Sequence, residues 1–116
     1  PHWSQGAPVV DQARYVYDAF IPLDGQWAEN VVLQTKAGPF DFQVREPVQS
    51  IFGALKHTPL NMEVEISTTF TGQGQHAFYL PSQWEEYLAF DTQRHGVGWP
   101  MRRILSHTEC RYCGIT

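Results

Sequence analysis

The chain is poor in clustered positive charge and in long apolar runs. Its 116 residues carry 8 Lys and Arg against 12 Asp and Glu, a net charge of −4, and the one adjacent basic pair is Arg102-Arg103. A nucleic-acid groove needs clustered cations to neutralise phosphates, so nucleic acid is not an expected partner; sugars and proteins are. No apolar run reaches the roughly eighteen residues of a membrane-spanning helix, so no membrane partner is expected. The start, Pro1-His2-Trp3-Ser4-Gln5-Gly6, has neither the basic nor the apolar region of a signal peptide. The first residue is not methionine, so the expectation is a chain processed or excised from something longer. Two cysteines, Cys110 and Cys113, lie too close in sequence to build a disulfide framework. What is there, 42% hydrophobic and 17% charged residues, is the composition of a soluble globular protein of one-domain length.

One stretch concentrates the chemistry. Asn30-Val31-Val32-Leu33-Gln34-Thr35 is a short β-branched, apolar run that suits a buried strand over 31–35, and Gly38-Pro39 stops it. Lys36, Asp41, Arg45 and Glu46 then follow within ten residues. In barrels of alternating strands and helices, catalytic residues sit at the carboxyl ends of strands. Charges held this close to a core are either paired or functional, because unpaired charge there is costly. Both readings, an ion-paired loop and a site, stay open on spacing alone. The same holds for Arg45 and Glu46, as a salt bridge at the mouth or as ligand contacts.

Either side of this stretch the pattern alternates between helix and strand. Val10, Ala13, Val16, Tyr17 and Phe20 recur at helical spacing and predict an amphipathic helix over 9–20, ended by Pro22 and Asp24-Gly25. Pro47, Gly53 and Pro59 leave an ordered loop with one helical turn at 51–55. Met62 to Thr68 alternates, with Glu63, Glu65 and Ser67 against Met62, Val64 and Ile66, and predicts a second strand. Ser82 caps a predicted helix over 82–90, whose aromatic stripe of Trp84, Tyr87, Leu88 and Phe90 is read as core rather than as a sugar platform. Helix, loop and buried strand make half of an α/β repeat.

Five landmarks carry a resemblance: PLDG at 22–25, GPFDFQVREP at 38–47, IFG at 51–53, FTGQ at 70–73 and WEEYLAFDT at 84–92. In this order and spacing, residues 17–92 resemble the central part of xylan α-1,2-glucuronidases, family 67 of the glycoside hydrolases. The resemblance implies a (β/α) eight-barrel that removes glucuronic acid or its 4-O-methyl form from xylo-oligosaccharides with inversion. It implies Asp41 as one of two carboxylates on the face where the hydrolytic water is activated, and Lys36 as the contact to the sugar's carboxylate. The chemistry fits, since an inverting glycosidase holds base and acid about 6.5–9.5 Å apart around a water, and an anionic sugar wants a fixed cation. No cofactor and no metal are implied, and the resemblance points to the cytoplasm.

Departures from the family pattern shape the expectation. Ile66-Ser67-Thr68-Thr69-Phe70 stands where the family reads ITQEY, so Thr69 replaces a glutamate; a hydroxyl can hold a water but cannot take its proton at neutral pH. Glu65 would lie about 13 Å back along an extended strand at about 3.3 Å per residue. Nothing matches the family's general acid. An eight-barrel takes roughly 250 residues, so this chain is expected to supply two or three strand-helix units, a partial TIM barrel over 1–92 whose open sheet edges invite self-association. Over 93–98 only a faint glycine spacing remains and from Trp99 no resemblance is seen, so 93–116 is expected to be a divergent tail from a disrupted coding end.

In that tail, His107, Cys110 and Cys113 form a weak metal or redox pattern, because zinc wants four ligands and a redox CxxC opens a helix; incidental cysteines are the favoured reading. His57 and His76 have no base or nucleophile pattern around them. Two functions remain: an α-glucuronidase segment that is inactive alone, and a non-catalytic remnant or acidic-sugar-binding module that kept Lys36 and lost the glutamate at Thr69.

Overall fold

The computed structural model describes residues 11–38, 46–68, 70–106 and 110–116. The predicted first helix is found as α1 (Gln12–Phe20), with the carboxylate of Asp11 accepting the amides of Ala13 at 2.9 Å and Arg14 at 3.3 Å. These are donors that a helix start leaves without intrahelical partners. Val16 and Phe20 pack on the core, and Arg14 pairs with Asp18 on the exposed side at 2.7 Å. Pro22 sits in a 3-10 turn (Ile21–Leu23), and Gly25 follows at φ +75°, a left-handed conformation that glycine adopts without a Cβ penalty.

Three strands, β1 (Leu33–Lys36), β2 (Leu60–Glu63) and β3 (Gly114–Ile115), form a parallel sheet in that order. Parallel neighbours need crossover connections. The helix α2 (Ile51–Ala54) lies in sequence between the first two strands, and α3 (Leu80–Ala89) and α4 (Met101–Ser106) lie between the second and third. The result is a small mixed α/β fold. Leu33 pairs with Leu60 and Lys36 with Glu63. Alternation therefore puts Leu33, Leu60 and Met62 on one face and Gln34, Lys36, Asn61 and Glu63 on the other. The apolar face joins Ile51, Phe52 and Leu55, Tyr87 of α3, and Met101 and Ile104 of α4 in one core.

Both strands are shifted from the predicted positions. The first begins at Leu33 because Val31 closes a turn onto Ala28 O at 2.9 Å, and pairing starts where Leu33 N–H meets Pro59 O at 2.9 Å. The second occupies Leu60–Glu63 rather than 62–68, because the chain turns inward after Val64 and buries Glu65. The turn at 51–55 is present as α2. Ser82 is not a cap: α3 begins two residues earlier, with Pro81 in its first turn, where no amide is needed, and Ser82 Oγ donates to Tyr79 O at 2.9 Å. Of the aromatic stripe Tyr87 is buried and Leu88 packs on the core, but Phe90 is 39% exposed.

The segment 93–116 is built into this fold. Met101 and Ile104 are core residues, β3 extends the sheet, and Arg94 donates from its guanidinium to Phe52 O, Leu55 O and Lys56 O, satisfying carbonyls at the end of α2. Gly53 of α2 is pressed against the same region; a Cβ there would lie 2.4 Å from Thr92 O. Cys110 and Cys113, read as incidental, are joined as a disulfide, and Leu60 N–H donates to Cys113 Sγ at 3.2 Å. Among the described residues no helix is long and apolar enough to cross a membrane.

Candidate active site at the carboxyl end of the sheet

Parallel strands gather the loops that follow them at one end. Here that end carries Lys36, the last residue of β1, in register with Glu63, the last residue of β2. Gln34, two residues before Lys36 and on its face, donates from Nε2 to Glu63 Oε2 at 3.1 Å. Gln34, Lys36, Asn61 and Glu63 thus form a polar row on the sheet face turned from the core. The alternation from Met62 already puts Glu63 on a polar face, as the structure does; Gln34 was missed, although the alternation in Leu33-Gln34-Thr35-Lys36 marks it.

Backbone bonds fix where β1 ends. Ala37 N–H donates to Glu63 O, and Gln49 N–H donates to Ala37 O, both at 2.9 Å. The side-chain amide of Gln49, itself buried, donates to Lys36 O at 3.0 Å and Gly38 O at 2.7 Å, holding the chain on both sides of Ala37. Gly38 lies against Glu46, whose Oε2 would be 3.0 Å from an added Cβ. Lys36 is placed at the strand end as expected, and Asp41, Arg45 and Thr69 lie outside the described residues. Among the described residues, no three of His, Cys, Asp and Glu gather as a metal-ligand set.

Residues 3–114 match the family model described as "Glycosyl hydrolase family 67 middle domain". The chain belongs to glycosyl hydrolase family 67. It is 45% identical over 96 residues to "Probable alpha-glucuronidase A" of Aspergillus clavatus, covering 83% of this chain and 11% of that protein. A protein of the same name from Aspergillus niger is 48% identical over 82 residues, covering 71% and 10%, and "Alpha-glucuronidase" of Hypocrea jecorina is 41% identical over 97 residues, covering 84% and 12%. The chain therefore spans about a tenth of the length of the curated relatives it matches. The family 67 match runs through residue 114, well past Thr92 where the landmarks stop.

Two landmark carboxylates of this family 67 chain have structural work. Asp24, of PLDG, accepts from Lys56 N at 2.6 Å, His57 N at 3.1 Å, Thr58 N at 2.9 Å and Thr58 Oγ1 at 2.8 Å. Burial pushes its carboxyl up, but these donors, Lys56 N–H foremost, outweigh that and hold it below the ordinary value. Asp91, near the end of WEEYLAFDT, accepts from Gly98 N at 2.8 Å and from Gln93 N and Trp99 N at 3.0 Å. Those amides, Gly98 first and Gln93 next, lower its carboxyl as well.

Glu65 is committed in the same way. It is 7% exposed, and its carboxylate accepts Phe70 N at 2.8 Å, Thr71 N at 3.2 Å and the Thr71 hydroxyl, while Trp84 Nε1 donates to its carbonyl at 2.9 Å. The chain does not run on extended from Glu65 but folds back, so that the carboxylate meets the amide of Phe70 five residues on. With its oxygens engaged by the amides of Phe70 and Thr71 and the Thr71 hydroxyl, Glu65 anchors the turn that opens the 3-10 segment Thr71–Gly74.

Proposed function

We propose that this chain is a segment of an inverting α-glucuronidase acting on xylo-oligosaccharides that carry α-1,2-linked glucuronic acid or its 4-O-methyl form. The observation that carries the reading is its 41–48% identity, over 71–90% of the chain, to proteins named alpha-glucuronidase. Lys36 serves as the cation for the sugar's carboxylate, and Asp41 as a carboxylate on the water side. A lysine ending a parallel strand, on the polar face and beside Glu63, suits an anionic sugar approaching the carboxyl end of the sheet. Asp41 follows five residues on in the sequence, after the strand end that Gln49 holds at Lys36 and Gly38.

The larger architecture is a wedge of a (β/α) eight-barrel. Three parallel strands with the helical core on one face and polar side chains on the other support it, and roughly 250 residues are needed to close the ring. The segment then depends on further strands for the general acid and is inactive alone. Thr69 favours a second reading, an acidic-sugar-binding module without turnover, because a hydroxyl cannot act as the base.

The test is calorimetric titration of the protein with glucuronic acid and aldouronic xylo-oligosaccharides, with uronic-acid release assayed in the same samples, for wild type, Lys36→Ala and Thr69→Glu. Saturable binding that Lys36→Ala weakens at least about tenfold supports the uronate site. No release from any of the three proteins is the expected result for a segment without its general acid, and release from the wild type would overturn the reading that it is inactive alone. Binding unaffected by Lys36→Ala would sink the assignment of Lys36.

A further inference from the structure

At the opposite end of the sheet, the loops that precede all three strands converge. Residues 27–31 lead into β1, 57–59 into β2 and 111–112 into β3, and they enclose a cleft of about 470 Å³. That volume lies within the range of about 300–1,000 Å³ typical of small-ligand sites. The cleft's chemistry comes from Trp27, Glu29, His57, Arg111 and Tyr112. None of these five side chains makes a hydrogen bond or ion pair with another described residue; their recorded contacts are Phe20 behind Trp27 at 6.0 Å and the Arg111 guanidinium over the Tyr112 ring at 5.4 Å.

The walls are held while these side chains are left open. Asp24 fixes the backbone of His57 and Thr58, Thr58 Oγ1 accepts Gly25 N–H at 3.1 Å, and the Cys110–Cys113 disulfide braces the turn that carries Arg111 and Tyr112. Cys113 Sγ in turn accepts Leu60 N–H, tying that turn to the start of β2. Fixed walls with unengaged polar tips lower the ordering cost of binding.

We infer that this cleft is a second, non-catalytic site that takes a chain of pyranose sugars. Aromatic rings offer apolar faces to the C–H faces of a pyranose. The indole N–H, phenol, imidazole and guanidinium can donate, and Glu29 accepts, a mixture that suits hydroxyl groups, which do both. A phosphate would meet the Glu29 carboxylate, and an acyl chain would leave five polar groups desolvated without partners. The site stands apart from Lys36, since the two lie at opposite ends of the parallel strands. It would hold the polymer while the other end of the sheet handles the uronic acid, and it goes beyond the function proposed above.

The experiment is an NMR titration of the ¹⁵N-labelled protein with xylotetraose, following the Trp27 indole N–H, assigned through Trp27→Phe, and the Arg111 and Tyr112 amides. The expected result is a saturable shift at these three signals. It weakens at least about tenfold in Arg111→Ala and in Tyr112→Ala, both exposed positions, with the remaining spectrum unchanged, and persists in Lys36→Ala. No saturable shift, or shifts centred on the Lys36 end and lost in Lys36→Ala, overturns the proposal. So do shifts produced by glucuronate or inorganic phosphate and not by xylotetraose, which would mark an anion site. Loss of the uronate site in Lys36→Ala tests the earlier reading separately.

Discussion

Asp24 holds Thr58 twice across thirty-four positions, accepting its amide at 2.9 Å and its hydroxyl at 2.8 Å. The clasp joins the turn after α1 to the turn before β2, so two segments distant in sequence enter the sheet in a fixed relation. Asp24→Ala is expected to lower stability by about 1–3 kcal/mol, because three backbone amides and a hydroxyl lose a charged acceptor. Urea unfolding measures it.

The same carboxylate sets a pH dependence. Its folded-state value lies below the ordinary 3.8, so its contribution is complete above that value and is lost as pH falls through the lower folded-state value. Thermal unfolding followed from about pH 6 to about pH 2 should show the wild type losing more stability than Asp24→Asn in the acid range. Parallel curves for the two proteins would contradict this account of Asp24.

Gly53→Ala pits two effects against each other. Alanine is the better helix former by about 1 kcal/mol. Against that, its Cβ would sit 2.4 Å from a backbone oxygen of Thr92, so α2 and the 92–99 loop must separate. Overpacking of this kind costs about 1–3 kcal/mol, and net destabilisation is expected. A raised unfolding midpoint in the denaturation curve would be the contrary result.

Glu65→Ala should free the part-buried amide of Phe70 and leave that of Thr71 buried without an acceptor, at a cost of about 1–3 kcal/mol. Hydrogen exchange at those two amides is the direct readout, with protection lost first there. Exchange unchanged at both positions would remove Glu65 from its anchoring role.

Reducing the Cys110–Cys113 disulfide should cost little. The cysteines are three positions apart, and the chain-entropy model assigns about 2 kcal/mol to so small a loop. Urea midpoints with and without reductant measure the difference, and Cys113→Ser adds the loss of the sulfur acceptor for Leu60 N–H.

The family, the α/β alternation and the placement of Lys36 were legible in the residues. Contiguous landmarks such as GPFDFQVREP carry family identity directly, and helical and alternating periods follow from local geometry. The helix starts and the turn at Ile51 are similarly local, and the errors there amount to three residues at the start of α1 and two at the start of α3.

What only the tertiary structure decided are relations between segments far apart in sequence. Glu65 looked like a strand residue by alternation, yet amides five and six positions on bend the chain around its carboxylate. Glu63 acquired its place beside Lys36 through the register of two strands, which neither strand's sequence states. The segment from Trp99 looked foreign because it carries none of the family's landmarks, yet Met101 and Ile104 fill the core and Gly114–Ile115 completes the sheet. Periodicity reports which face of an element is apolar; which partner covers that face depends on packing of the whole chain, and burial against a distant partner leaves no local trace.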